Sequence, residues 1–484
     1  MSRLISLRRG LPVIDWTRVA TRYLPFADAA SPDLPLGRLA RLSLFQVSVG
    51  AVAALMVGTL NRVMIVELSV AAWLVAAMLA LPLLAAPFRA LIGLKSDLHR
   101  SFLGWKRVPF IWVGTLLVFG GLAIMPFALV LLTGTTPLQL WAGRVAAALA
   151  FLMAGAGGQV VQTAGLALAT DLAAPATRPR VVALMYVMLL LGLVGASAVY
   201  GWLLQDYTHT RLVQVVQGTA VVCVFLNLLA VWKQEPRNSL RAQQPPAQER
   251  FRTHWRRFAA RPQVRRFLLT VGLGALAFNM QDVILEPYGG EILKLGVSAT
   301  TQLTGLMALG SLSAFALAAR WLSRGADPHR VAAAGLMVGV FAFSAVIFAE
   351  PLEAPNLFRA GAILIGVGGG LFAVGTLSAA MELDDGQGLN GMVLGAWGAV
   401  QATCAGIAVG LGGLLRDLAG SLAEAGWLGE VLQDPVTGYS VVYHLEWALL
   451  FATLIALGPL VRRRSSATPG RPPSQRLGLA DLPG

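Results

Sequence analysis

The chain has 484 residues, 56% of them hydrophobic and only 13% charged, with a mean hydropathy of +0.68. Soluble globular domains carry charge on about a quarter of their residues, so this composition excludes an ordinary water-soluble domain. A formal net charge of +14 would suit a nucleic-acid binder, but the cations gather in alternate connections between apolar runs. That is the positive-inside pattern of cytoplasmic loops, and no nucleic-acid partner is expected.

In chain order, residues 1–41 are basic and Pro-containing and read as a cytoplasmic N-terminal arm without a cleavable signal peptide. Six apolar runs follow, at 42–66, 69–93, 108–132, 138–169, 181–204 and 212–232. A Pro-, Gln- and Arg-rich stretch, 233–265, reads as a cytoplasmic linker. Six more runs occupy 266–286, 298–321, 331–349, 356–380, 389–415 and 440–461, before a basic tail, 462–484, that reads as cytoplasmic and disordered. Most of these runs can cross a hydrocarbon layer of roughly 30 Å as a helix. The fold class expected is all-α and polytopic, with 12 transmembrane helices in two six-helix bundles (42–232 and 266–461) and both termini cytoplasmic.

The halves resemble each other. "GAGGQVVQTAGLALATD" (155–171) aligns without gaps on "GVGGGLFAVGTLSAAME" (366–382), and "DLHR" (97–100) echoes "DPHR" (327–330). A parallel duplication of six helices is the architecture of the major facilitator superfamily, whose halves enclose a midplane cavity. The glycine clusters read as close-packing surfaces, since small residues let membrane helices approach. The two cysteines, Cys223 and Cys404, lie in apolar runs and suggest neither a disulfide framework nor a metal site.

Polar residues within the runs mark candidate sites. In "GTLNRVMIVELSV" (58–70), Asn61, Arg62 and Glu67 end an otherwise apolar segment. Arg62 lies 21 residues beyond Arg41, roughly 31 Å along a helix, so it either snorkels at the far interface or faces a cavity. Asp282 lies 16 residues beyond Arg266, roughly 24 Å, and an unpaired acid inside the bilayer costs about 2.5–3.5 kcal/mol. As pseudo-equivalent residues of the first and seventh helices, Arg62 and Asp282 are expected to pair. Gln159 and Gln162 share a helix face, Glu286 follows Asp282 by four residues, and Arg144 and Arg359 begin the fourth and tenth helices as cavity groups or interfacial anchors. His444, in "YSVVYHLEWALL", either ligates a magnesium porphyrin or sits at the interface as an ordinary histidine. No catalytic motif appears, so no enzyme is expected.

The stretches "RYLPFADAASPDLPLGRLARLSLFQVSVG", "GTLNRVMIVEL", "LPLLAAPFRALIGLKSD", "GWKRVPFIW", "RVVALMYVMLLLGLVGA", "QDVILEPYGGEI" and "VVYHLEWALLFATLIALGPLV" resemble the PucC/LhaA group, the bacteriochlorophyll-delivery family of the major facilitator superfamily. The resemblance implies an assembly factor for bacterial light-harvesting antennae in the inner photosynthetic membrane, with the core antenna LH1 favoured over the peripheral LH2. It implies bacteriochlorophyll as a transient ligand, and antenna α and β polypeptides as partners. It also allows the reaction-centre complex and pigment-synthesis enzymes as further partners. In this reading Asn61, Arg62, Glu67, Arg144, Gln159, Gln162, Asp282, Glu286 and His444 are the pigment-site candidates. The competing reading is a proton-coupled transporter of a small amphipathic solute, with Asp282 or Glu286 carrying the proton.

Overall fold

The computed structural model describes residues 29–30, 34–84, 105, 107–174, 177–235, 261–382, 390–429 and 432–462. The described residues form helices and short connections. We number the helices α1 (Leu36–Glu67), α2 (Ala72–Leu84), α3 (Val108–Leu132), α4 (Pro137–Leu172), α5 (Arg178–Leu203) and α6 (His209–Val231) in the first half. The second half holds α7 (Pro262–Glu291), α8 (Val297–Ser323), α9 (Pro328–Ala349), α10 (Pro355–Glu382), α11 (Asn390–Glu424) and α12 (Val436–Arg462). Eleven of these are long and apolar enough to cross a membrane, and α2 is described only as far as Leu84. The protein is a multi-pass membrane protein. Most of the N-terminal arm (1–41) and of the 233–265 linker, the tail beyond Arg462 and the loop carrying "DLHR" lie outside the described residues, while residues 36–41 of the arm already belong to α1.

Helix ends follow local chemistry. Thr136 and Gln139 form a reciprocal capping box ahead of Pro137, and the Asp327 carboxylate accepts from the His329 backbone N–H at 2.8 Å before α9. Proline at the first or second helical position opens α3, α4, α5, α7 and α9, where its missing N–H costs no helical hydrogen bond.

The halves meet through α2 on α11 and α5 on α8. Adding six to α2 and α5 gives α8 and α11, so the two seams exchange under the duplication. The glycine clusters show the same symmetry in atomic detail. A Cβ on Gly157 would lie 2.6 Å from the Gly114 carbonyl oxygen, and a Cβ on Gly368, the residue aligned with Gly157, would lie 2.8 Å from that of Gly335. The α3–α4 and α9–α10 crossings are therefore backbone contacts that only glycine permits, as the close-packing reading required.

Candidate functional site

The polar residues of α1 sit where its hydrogen bonding changes. Two π-helical segments, Ala54–Leu60 and Val63–Glu67, flank Asn61 and Arg62. Such wide turns recur at functional sites because they re-aim the side chains around them. α7 is irregular at the facing level, breaking into a 3-10 turn over Met280–Val283 before resuming at Leu285–Glu291.

Asn61 is fully buried and donates from Nδ2 to the Val283 carbonyl at 2.9 Å and, weakly, to that of Asp282 at 3.5 Å. Arg62 is 4% exposed. Its Nη1 donates to Glu67, and its Nη2 lies 3.4 Å from the Leu295 carbonyl oxygen. The expected Arg62–Asp282 ion pair is not formed. Glu67, one turn along the same helix, takes the guanidinium instead, and Asp282 accepts from the Gln281 side chain. The irregular turn at Met280–Val283 presents α7 carbonyls towards α1 in place of a carboxylate.

Two glycines make room for this packing. A Cβ on Gly58 would fall 2.9 Å from the Glu286 Oε1, and one on Gly290 would fall 2.9 Å from the Arg62 Nε. Glu286 is 2% exposed and accepts from the Thr304 hydroxyl on α8. Thr59 and Thr301 approach at 3.3 Å between their hydroxyl oxygens. At the same end, the Trp73 backbone N–H donates to Asp417 on α11 at 2.8 Å. The Asn61–Val283, Thr59–Thr301 and Trp73–Asp417 contacts tie the halves together. They leave Asn61 Oδ1, Arg62 Nε and Glu286 Oε2 buried with no protein partner.

Asp282 and Gln159 do come together. With Met56, Pro82, Gly158 and Val409 they line a cavity of about 140 Å³ between the halves. Gln159 Oε1 has no protein partner there. The cavity has room for a few waters at about 30 Å³ each. It is well below the roughly 300–1,000 Å³ of a site for a drug-sized ligand. Gln162 is half-buried and is not among the lining residues.

Arg144 is exposed on the outward face of α4 beside the exposed Trp141 and Val145, an anchor's position rather than a cavity's. Arg359 donates to Asn356 at the start of α10. His444 is exposed on the outside of α12. Its Nδ1 lies 2.7 Å from the Ser440 carbonyl oxygen, which can only accept, so Nδ1 is the donor there and, in the neutral ring, Nε2 is the nitrogen left free to ligate. On the same face, the half-exposed Trp447 and Phe451 rings stack edge-to-face at 4.8 Å.

Several polar groups escaped the sequence reading. Glu446 is fully buried and accepts the Gln281 backbone N–H at 2.7 Å. Arg416 donates to Glu291 at 2.5 Å and Asp417 at 2.8 Å, under a Tyr439 hydroxyl that donates to Glu291 at 2.6 Å. Tyr207, in the α5–α6 connection, lies close to the Arg62–Glu67 pair. Burial and then the Glu67 carboxylate push its phenol above the ordinary value, against the opposing field of Arg62. Glu446 carried the same signal as Asp282, an ionisable residue within an apolar run, whereas Arg416 falls one residue beyond the 389–415 run.

Two crossed seams between six-helix halves, around a small polar interior, define the class: a membrane protein with the major facilitator fold. The crystal structure of the nucleoside transporter NupG superposes with a TM-score of 0.63 over 88% of this chain and 100% of the other, at 14% identity, a likeness of fold alone. Within that class the chain belongs to the family described as PUCC protein, whose model matches residues 59–465. It is 52% identical over 469 residues to the "Uncharacterized protein in puhA-bchM intergenic region" of Rhodobacter capsulatus, covering 96% of this chain and 98% of that one. It is 50% identical over 453 residues to Protein PucC of Cereibacter sphaeroides, covering 93% and 97%.

Proposed function

We propose that this protein is a non-enzymatic assembly factor for bacterial light-harvesting antennae. It holds bacteriochlorophyll and passes it to antenna α and β polypeptides within the photosynthetic membrane, with the core antenna LH1 as the favoured client. The reaction-centre complex and pigment-synthesis enzymes are its proposed neighbours. The observation that carries this reading is similarity to PucC proteins at about half identity over nearly the whole chain.

Among the described residues, the cavity at Gln159 and Asp282 favours pigment handling at the lipid face over that interior site. A cavity of about 140 Å³ has no room for a tetrapyrrole ring. Asn61 bonds across to the Val283 carbonyl of the other half, and Arg62 and Glu67 are occupied with each other. His444, by contrast, offers a neutral Nε2 lone pair on an exposed apolar face, a donor suited to magnesium. Bacteriochlorophyll, when bound, would supply the light absorption and a magnesium that an imidazole nitrogen can ligate. Ser440 fixes the imidazole tautomer, and the edge-to-face Trp447 and Phe451 rings offer apolar surface one and two turns along.

The transporter reading draws support from the fold and from Asp282 and Glu286 inside the bundle. A clean deletion in a phototrophic host separates the two. Loss of antenna absorbance, restored by the gene in trans, is expected for the assembly factor. Full antenna absorbance, in a strain cleared of related genes, would end the assembly reading and leave the transporter.

A further inference from the structure

α5 and α6 are joined by the short connection 204–208, yet a groove of about 810 Å³ opens between them on the outside of the first half. Its floor is α1, through Val47 and Ala51, and its walls are apolar, with Leu191 and Val199 on one side and Val215 and Val222 on the other. The lining runs from Leu191 to Leu203 on α5 and from Arg211 to Leu226 on α6, roughly 20 Å at 1.5 Å per residue. The groove therefore extends from one end of these helices well into the bilayer.

Its width is fixed from within. The Thr219 hydroxyl on α6 lies 2.9 Å from the Tyr200 hydroxyl on α5, which donates to the Ala51 carbonyl on α1 at 3.2 Å. This three-helix brace sits on the floor and leaves the space above it open. Gly195 and Gly218 line that space, and a Cβ on either would meet no atom within 4 Å. The mouth holds Gln205, Asp206, Arg211 and Gln214, with the Arg211 guanidinium 3.4 Å from the Asp206 carboxylate. It is rich in hydrogen-bond donors but electrically balanced.

We propose that this groove, on a different face of the protein from His444, holds the esterified isoprenoid tail of a second bacteriochlorophyll, an inference that rests on the pigment-handling function proposed above. A long apolar slot suits a chain-like hydrocarbon. A balanced mouth with amide and guanidinium donors suits the uncharged ester and keto carbonyls at the head of that chain. A phosphate headgroup would meet Asp206 and an arginine already neutralised by it, so the mouth does not select an anionic phospholipid. The groove is open along its length, so the tail can leave sideways into the bilayer, the direction from which a membrane-helix client approaches.

Bacteriochlorophyll and its tail-less counterpart, bacteriochlorophyllide, are titrated against the full-length protein in phosphatidylcholine nanodiscs, with phosphatidylglycerol added in a second arm. Lipid is as apolar as the groove, so the tail gains packing rather than hydrophobic burial. About fivefold tighter binding of the tailed pigment is expected. Gly195→Leu and Gly218→Leu fill open space and leave thermal stability unchanged, but abolish that preference. Equal affinity of the unaltered protein for both pigments overturns the tail site while leaving pigment handling intact. Displacement of tailed pigment by phosphatidylglycerol in the unaltered protein, absent from the glycine variants, overturns it in favour of a phospholipid. Failure to bind either pigment overturns the parent function, and the tail site with it.

Discussion

The Arg62–Glu67 pair is lopsided, and that gives it an unusual mutational signature. The Arg62 side chain is 5% exposed, whereas that of Glu67 is 35% exposed. Glu67→Gln keeps a neutral amide oxygen that can accept from Nη1 but removes the charge that balances the buried guanidinium, whose other contact is long, to the Leu295 carbonyl at 3.4 Å, and whose Nε already lacks a protein partner. Removing one member of a fully buried pair costs about 3–5 kcal/mol. Partial access of water through the Glu67 side lowers the expectation to about 2–3 kcal/mol. Arg62→Met strands nothing comparable, because Glu67 can turn to solvent, and it removes a buried unsatisfied donor. Its expected cost is about 1 kcal/mol. The double variant should be more stable than Glu67→Gln alone. Reversible unfolding in mixed micelles by graded addition of SDS measures all three. If Arg62→Met proves as damaging as Glu67→Gln, the guanidinium is held by interactions other than those described, and the reasoning fails.

Gly58→Val should cost about 1–3 kcal/mol in the same assay, because its Cβ would fall on Glu286 Oε1 and on Thr304 Oγ1 at 3.0 Å. Gly395→Ala, at a position with open space around the added methyl, should be within about 0.5 kcal/mol of the parent protein. Asn61→Leu loses the bond to the Val283 carbonyl and strands that acceptor, which predicts a loss of about 1–2 kcal/mol. It should also give faster cysteine labelling at position 301, where the halves meet. His444→Leu should lower the pigment content of purified protein at least several-fold with an unchanged unfolding midpoint, since the ring is exposed and bonds only to its own helix. Unchanged pigment content in that variant would remove His444 from the pigment site.

The hydropathy of the chain made the spans readable because each is a long apolar run, and α3 begins and ends at the expected residues. Gly157 and Gly368 could be read as packing residues from their aligned clusters, since only a missing side chain permits such an approach. Partner choice was harder. Arg62 and Asp282 looked complementary by symmetry and charge, but a helix can satisfy its own arginine with an acid five residues on when its turns widen, as they do over Val63–Glu67. Neither that π segment nor the 3-10 turn at Met280–Val283 has a composition that announces it. Cavity size is a tertiary property: Gln159 and Asp282 were placed on the same interior by pattern, while the 140 Å³ between them depends on how closely α1, α2 and α11 pack. The groove between α5 and α6 left no periodic mark, because its lining residues belong to the same apolar runs as the rest of the lipid face.

The central claim is that this chain handles bacteriochlorophyll on behalf of an antenna. The most direct measurement is the absorbance spectrum and polypeptide content of the tagged protein, gently solubilised from pigmented native membranes. The account predicts bacteriochlorophyll near one or a few molecules per chain, together with antenna α and β polypeptides. A colourless protein purifying alone from those membranes, and driving proton-coupled solute uptake in vesicles, would contradict it.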